Sequence, residues 1–189
     1  RRQRQMCIRD SLNHGSFGAV PTEVLQSLHR LQEELERQPV RFLAIERDLE
    51  PALDAVRLRV ASLVGADPKD LALVRNATDG VNAVLRSIRL RPGDEVLVTD
   101  HGYNACNNAA RLMAELSGAK LRIANIPFPI GGDDEVVAAI EAELTNRTRL
   151  LVVDHVTSGT GLVFPVQRIA TLARERGIGV LVDGAHAVG

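Results

Sequence analysis

Four short stretches of this 189-residue chain hold residue types that can act together on a ligand: RNATDGVN at 75–82, TDHGYN at 99–104, DHVTSGTG at 154–161 and DGAHAVG at 183–189. The first reads as a helix start, whose unpaired backbone N–H groups and dipole attract an anion, with Ala77 in the turn and Thr78 placed to cap the helix. The second offers two flat side chains, His101 and Tyr103. The third offers His155 and the hydroxyls of Thr157 and Ser158, and the fourth offers Asp183 with His186. An anion cradle, a flat ring for stacking, small hydroxyls and a carboxylate that can hold a cation together suit a planar, phosphorylated, heteroaromatic ligand. Each feature alone has a plainer reading. Thr78 serves as an ordinary N-cap, His101 as a turn histidine, His155 as a hydrogen-bonded structural histidine, and Thr157 and Ser158 as hydroxyls satisfying a glycine-rich turn.

The ligand reading requires the four clusters to share one edge of one layer, and the intervening segments predict this. From Leu71 onward, strand-like and helix-like segments alternate. Strands are expected at 71–75, 95–99, 121–126, 150–154 and 178–182, and helices at 78–90, 104–116, 134–144 and 165–176. Such alternation specifies an α/β fold with a mostly parallel, doubly wound sheet, and every cluster then lies just after a strand. Two helical stretches precede it, one opening at Pro21 and one from Ile45 to Val64 closed by Gly65. The expected organisation is a helical segment over residues 1–65 and a sheet domain over 66–189.

Composition narrows the classes further. An apolar content of 45% with 25% charged residues is that of a globular chain, and a net charge of −1 with 3% aromatics disfavours nucleic-acid binding. No apolar run approaches membrane-spanning length and no signal-peptide core stands at the N-terminus, so the expected location is cytoplasmic. Cys7 and Cys106 form no CxxC pair and read as plain thiols, with no metal site indicated by cysteine spacing.

Taken in order, LNHGSFGAVP at 12–21, PVRFL at 39–43, RNATDGVN and DGAHAVG resemble the class V aminotransferase group of fold-type I pyridoxal-5′-phosphate enzymes. That group includes cysteine desulfurases and C–S lyases, and the chain is most similar to its isopenicillin N epimerase-like branch. The resemblance implies the large-domain fold of those enzymes, a pyridoxal 5′-phosphate cofactor, an amino-acid substrate, a homodimer, and epimerase, lyase or aminotransferase chemistry through a carbanion. It assigns Ala77 and Thr78 to the phosphate and His101, with Tyr103 as its rival, to stacking on the ring. It assigns Asp183 to the pyridinium nitrogen and His186 and Ser158 to the phenolic oxygen. Asn13, His14 and Gly15 then lie near the substrate, and Arg41 reaches its carboxylate.

The group also needs a Schiff-base lysine, and the chain contains only Lys69 and Lys120. Each stands before or at the start of a strand, at the edge opposite the clusters. The expectation is therefore a fragment of a longer enzyme, truncated before its lysine and inactive alone. Three other readings stay open: a lysine-free, non-catalytic paralogue acting as a binding module; a metal-dependent hydrolase using His101, His155, His186 and Asp183; and a nucleotide-binding domain using GTGLVF at 159–164.

Overall fold

A computed structural model describes residues 18–188. These residues form two compact units, one ending at Leu73 and one beginning at Val74. In the first, helix α1 (Thr22–Arg37) follows Pro21, which is its cap and not its first helical residue. A short helix α2 (Pro39–Leu43) and a π-helical turn (Ile45–Leu49) lead into α3 (Glu50–Val64). Pro51 is accommodated in the first turn of α3, where no intrahelical donor is lost, and Gly65 ends the helix in the left-handed region at φ 70°.

The second unit contains helix α4 (Ala77–Ser87) and then β1 (Glu95–Thr99), α5 (Asn104–Ser117), β2 (Lys120–Ala124), α6 (Asp133–Glu143), β3 (Thr148–Asp154), α7 (Val166–Glu175) and β4 (Gly179–Asp183). All strand pairs are parallel, in the order β2-β1-β3-β4. Side chains alternate between the two faces of each strand, so the unit has two cores. Val96, Val98, Leu150 and Val152 pack with Val81 and Leu85 of α4 and Cys106, Ala110 and Ala114 of α5. Leu97, Leu151 and Val153 pack on the other face with Val136 and Ile140 of α6 and Ile169 and Ala173 of α7.

The expected strand at 71–75 does not form, because that segment has no ladder partner. A strand exists only through pairing, and here the backbone is irregular and Leu73 and Val74 stand half exposed. The remaining expected elements of the second unit are present with ends displaced by at most three residues, whereas the helix expected from Ile45 begins as an α-helix only at Glu50, after the π-helical turn.

The strand order contains a reversal that sets the site. The chain leaves β1 toward β2 on one side, then crosses back to place β3 on the other side of β1. The loops after β1 and β3 therefore diverge, with α5 on one face and α6 and α7 on the other. In open α/β sheets the crevice at such a switch point, outside the carboxyl ends of the strands, is where ligands bind.

Candidate functional site

Asp154 ends β3 and Asp183 ends β4, and the parallel register pairs them directly. Both side chains point toward the face covered by α4 and α5, because each is an even number of residues from Val152 or Leu181, which belong to that core. Both residues are buried. Asp183 Oδ1 accepts the N–H of Ala185 at 3.0 Å, and Oδ2 accepts the thiol of Cys106 at 3.2 Å. The Asp154 carboxylate accepts the backbone N–H of Tyr103 at 3.2 Å, a bond that spans the switch point from the loop after β1 to the end of β3.

Two carboxylates buried side by side repel one another. Burial, and then the charge of Asp183, raise the Asp154 carboxyl to about 6, against the opposing effects of the Tyr103 amide and His186. Burial raises the Cys106 thiol to about 12, with Asp183 adding to the shift, so this thiol stays protonated and donates. Among the described residues, no ion pair involves Asp154 or Asp183. Buried carboxylates without a cation are costly. The donor set suits a ligand that brings positive charge to this edge.

A second cluster lies after β1. His101 Nδ1 is 2.9 Å from Thr160 Oγ1, and its ring is tilted against Phe128 and Phe164 at centroid separations of 5.9 and 6.4 Å. Thr160 is in turn 2.8 Å from Thr157, whose hydroxyl also accepts the N–H of Leu162. This network holds the turn after β3 against the turn after β1. Asn107 donates to the carbonyl of Thr99 and packs over Gly102, where an added Cβ would come within 2.6 Å of its side chain.

The third component is the start of α4, a helix that packs through Val81 and Leu85 on the face that also holds Cys106. Its cap is Asn76 and not Thr78. Asn76 has extended backbone at φ −162° and ψ 169°, and its side chain accepts the N–H of Asp79 at 2.8 Å. Thr78 lies two residues past the cap, already inside the first turn of the helix. The N–H groups of Ala77 and Thr78 remain among those a helix start cannot satisfy internally. Asp79, the carboxylate in this first turn, is drawn aside by Arg75 at 3.0 Å.

Asp183 is thus brought together with two residues passed over in the sequence: Asp154, which ends LVVD just as Asp183 ends VLVD, and Cys106, which is no plain thiol. His186 and His155 are half-buried nearby in sequence, while Ser158 is exposed. Tyr103 contributes its backbone amide, and its side chain is 44% exposed. Arg41 belongs to the first unit and pairs with Asp48 at 2.7 Å. Asn13, His14 and Gly15 lie outside the described residues. Lys120 begins β2, at the far edge of the sheet from the carboxylates.

Among the described residues, no three or more His, Cys, Asp and Glu side chains converge as metal ligands would. The residues named for a metal-dependent hydrolase are held apart, since His101 is held by Thr160 and the two phenylalanines while Asp183 faces Cys106. GTGLVF forms a closed turn bonded back through Thr157 and Leu162, and α7 begins only at Val166, so it opens no helix onto a nucleotide. No described helix is long and apolar enough to cross a membrane.

A family model described as Aminotransferase class-V matches residues 18–189. Isopenicillin N epimerase of Amycolatopsis lactamdurans is 38% identical over 182 residues, covering 95% of this chain and 45% of that protein. Putative L-cysteine desulfhydrase 1 of Oryza sativa subsp. japonica is 33% identical, covering 94% of this chain and 40% of that protein. The cystine C-S lyase C-DES, solved with its reaction product cysteine persulfide, superposes with a TM-score of 0.84 at 26% identity, covering 93% of this chain and 47% of that one. A C-DES variant solved with glycine covalently linked to its PLP cofactor shares the fold at a TM-score of 0.86 and 24% identity. The chain spans half or less of the length of these relatives.

Proposed function

Since the chain belongs to the aminotransferase class-V family, we propose that it forms the cofactor-holding part of a pyridoxal phosphate enzyme that acts on an amino acid by epimerase, C–S lyase or aminotransferase chemistry. The observation that carries this reading is the buried pair Asp154 and Asp183, in register beside the switch point and with no ion-pair partner among the described residues. A protonated ring nitrogen is the positive charge that such an edge lacks. The donor chemistry therefore fits the cofactor.

When bound, pyridoxal phosphate supplies an electron sink for negative charge developing at a substrate's α-carbon, and the sink is strongest with its ring nitrogen protonated. Asp183 holds the proton on that nitrogen by pairing with the cation. The start of α4, through the N–H groups of Ala77 and Thr78, anchors the phosphate. The Thr78 hydroxyl, which makes no hydrogen bond among the described residues, is available to the same group. His101 would stack on the ring in preference to Tyr103, because Thr160, Phe128 and Phe164 fix the imidazole while the Tyr103 side chain is 44% exposed. His186, and less directly Ser158, serve the phenolic oxygen. The protein is proposed to work as a homodimer, a reading supported by the exposed apolar residues Val24, Leu28 and Leu31 along α1.

The test uses the full-length protein. Wild type should develop visible absorbance on addition of pyridoxal phosphate, and Asp183→Ala should retain its fold while kcat falls by about 10³-fold or more, as expected when the charge partner of the protonated ring nitrogen is removed. Near-normal turnover in that variant would remove Asp183 from this role.

A further inference from the structure

Asp183 is held from two sides by the protein. A carboxylate oxygen can accept about two hydrogen bonds, and each oxygen here receives one, from the Ala185 amide and from the Cys106 thiol. Donors on both oxygens fix the rotation of the carboxylate plane and leave acceptor capacity on each oxygen for a ligand. The Ala185 bond is local, two residues along the chain, and by itself would let the group swing toward Asp154. Like charge from Asp154, on the adjacent strand end, acts on the same carboxylate. The tie that crosses from α5 to β4 is the thiol.

We propose that Cys106 is a positioning residue for Asp183: its S–H, donated to Oδ2 from within the core beneath α5, sets the orientation in which the carboxylate meets a ring nitrogen. The proposal rests on the reading above. A thiol suits the task because it packs as a small apolar group among Val81, Val96, Val98 and Ala110 while donating only weakly. It orients the carboxylate without drawing off the negative charge on which pairing with a cation depends. High thiol basicity serves the same end, since a thiolate here would add a third negative charge and lose its only proton.

Cys106→Ala and Cys106→Ser in the full-length protein separate positioning from packing. If Cys106 only fills space, alanine should be tolerated better than serine, because serine carries a polar hydroxyl into an apolar core. If it positions Asp183, serine should stay near wild type and alanine should fall away. We expect Cys106→Ala to weaken pyridoxal phosphate binding about three- to tenfold, the scale of one net hydrogen bond. It should also displace the absorption band of the bound cofactor and lower kcat more than it alters KM. Cys106→Ser should restore the band. Wild-type binding and spectrum in the alanine variant, or a serine variant at least as impaired as alanine, would overturn the proposal while leaving the cofactor reading intact. A wild-type protein that binds no pyridoxal phosphate would overturn both.

Discussion

At the scale of the residue, Asp154 and Asp183 show how the same side chain takes different work from its neighbours. Asp154 accepts one backbone amide and faces Asp183, Cys106 and His186, and it titrates at about 6 where an ordinary aspartate titrates at 3.8. The folded chain therefore keeps a proton on Asp154 that the unfolded chain has released. The associated stability is fully present below the ordinary value and is lost as pH rises through the folded one. Asparagine keeps the acceptor for the Tyr103 amide and never ionises. Asp154→Asn should accordingly be stabilised relative to wild type by an amount that grows between about pH 4 and pH 7 and reaches about 3 kcal/mol at most. Urea unfolding of both proteins at the two ends of that range checks it, and a difference independent of pH would contradict it. Asp183 was legible in the sequence because it ends an apolar run and sits in a recognisable motif. Asp154 ends an equally apolar run but was hidden by its neighbour His155, the more conspicuous chemical group.

At the scale of the element, helix starts and ends were readable to within a few residues, but not which residue of a polar turn performs the cap. In RNATDG both Asn76 and Thr78 are good capping types. The backbone decides between them, since Asn76 is extended and Thr78 already helical. Asn76→Ala should then cost about 1 kcal/mol and should weaken pyridoxal phosphate binding by fraying the helix start proposed to hold the phosphate, whereas Thr78→Ala should leave stability within about 0.5 kcal/mol. Thermal melts of the two variants discriminate the assignments, and equal losses would return the cap to Thr78. The missing strand at 71–75 has a related cause. Its apolar pattern is genuine, but pattern confers only the capacity to pair, and pairing requires a neighbouring strand.

At the scale of the whole molecule, the two edges of the sheet are electrostatic opposites. At the amino edge, burial works to raise the carboxyl of Glu95, yet the Thr145 hydroxyl and the Arg147 guanidinium at 3.1 Å prevail and hold it below its ordinary value. At the carboxyl edge, no described residue forms such an ion pair with Asp154 or Asp183. Lys120 is at the amino edge, at the start of a five-residue strand, so its ammonium begins about 15 Å from the site. Treating the full-length protein with pyridoxal phosphate and borohydride should therefore label a lysine outside residues 1–189, found by peptide mass spectrometry. Labelling of Lys120 would place the cofactor at the wrong edge, and no labelled lysine at all would favour a non-catalytic binding protein. By itself the sequence determined the alternating elements, the edge to which the polar clusters belong and the family, because hydrophobic periodicity and motif order are properties of neighbouring residues. Only the tertiary structure decided that β3 crosses to the far side of β1, and hence that Asp154 lies beside Asp183, that the Tyr103 amide bridges the switch point and that Cys106 holds the carboxylate. Those contacts join residues 29 to 77 positions apart, and strand order, which no local pattern encodes, is what brings them within hydrogen-bonding reach.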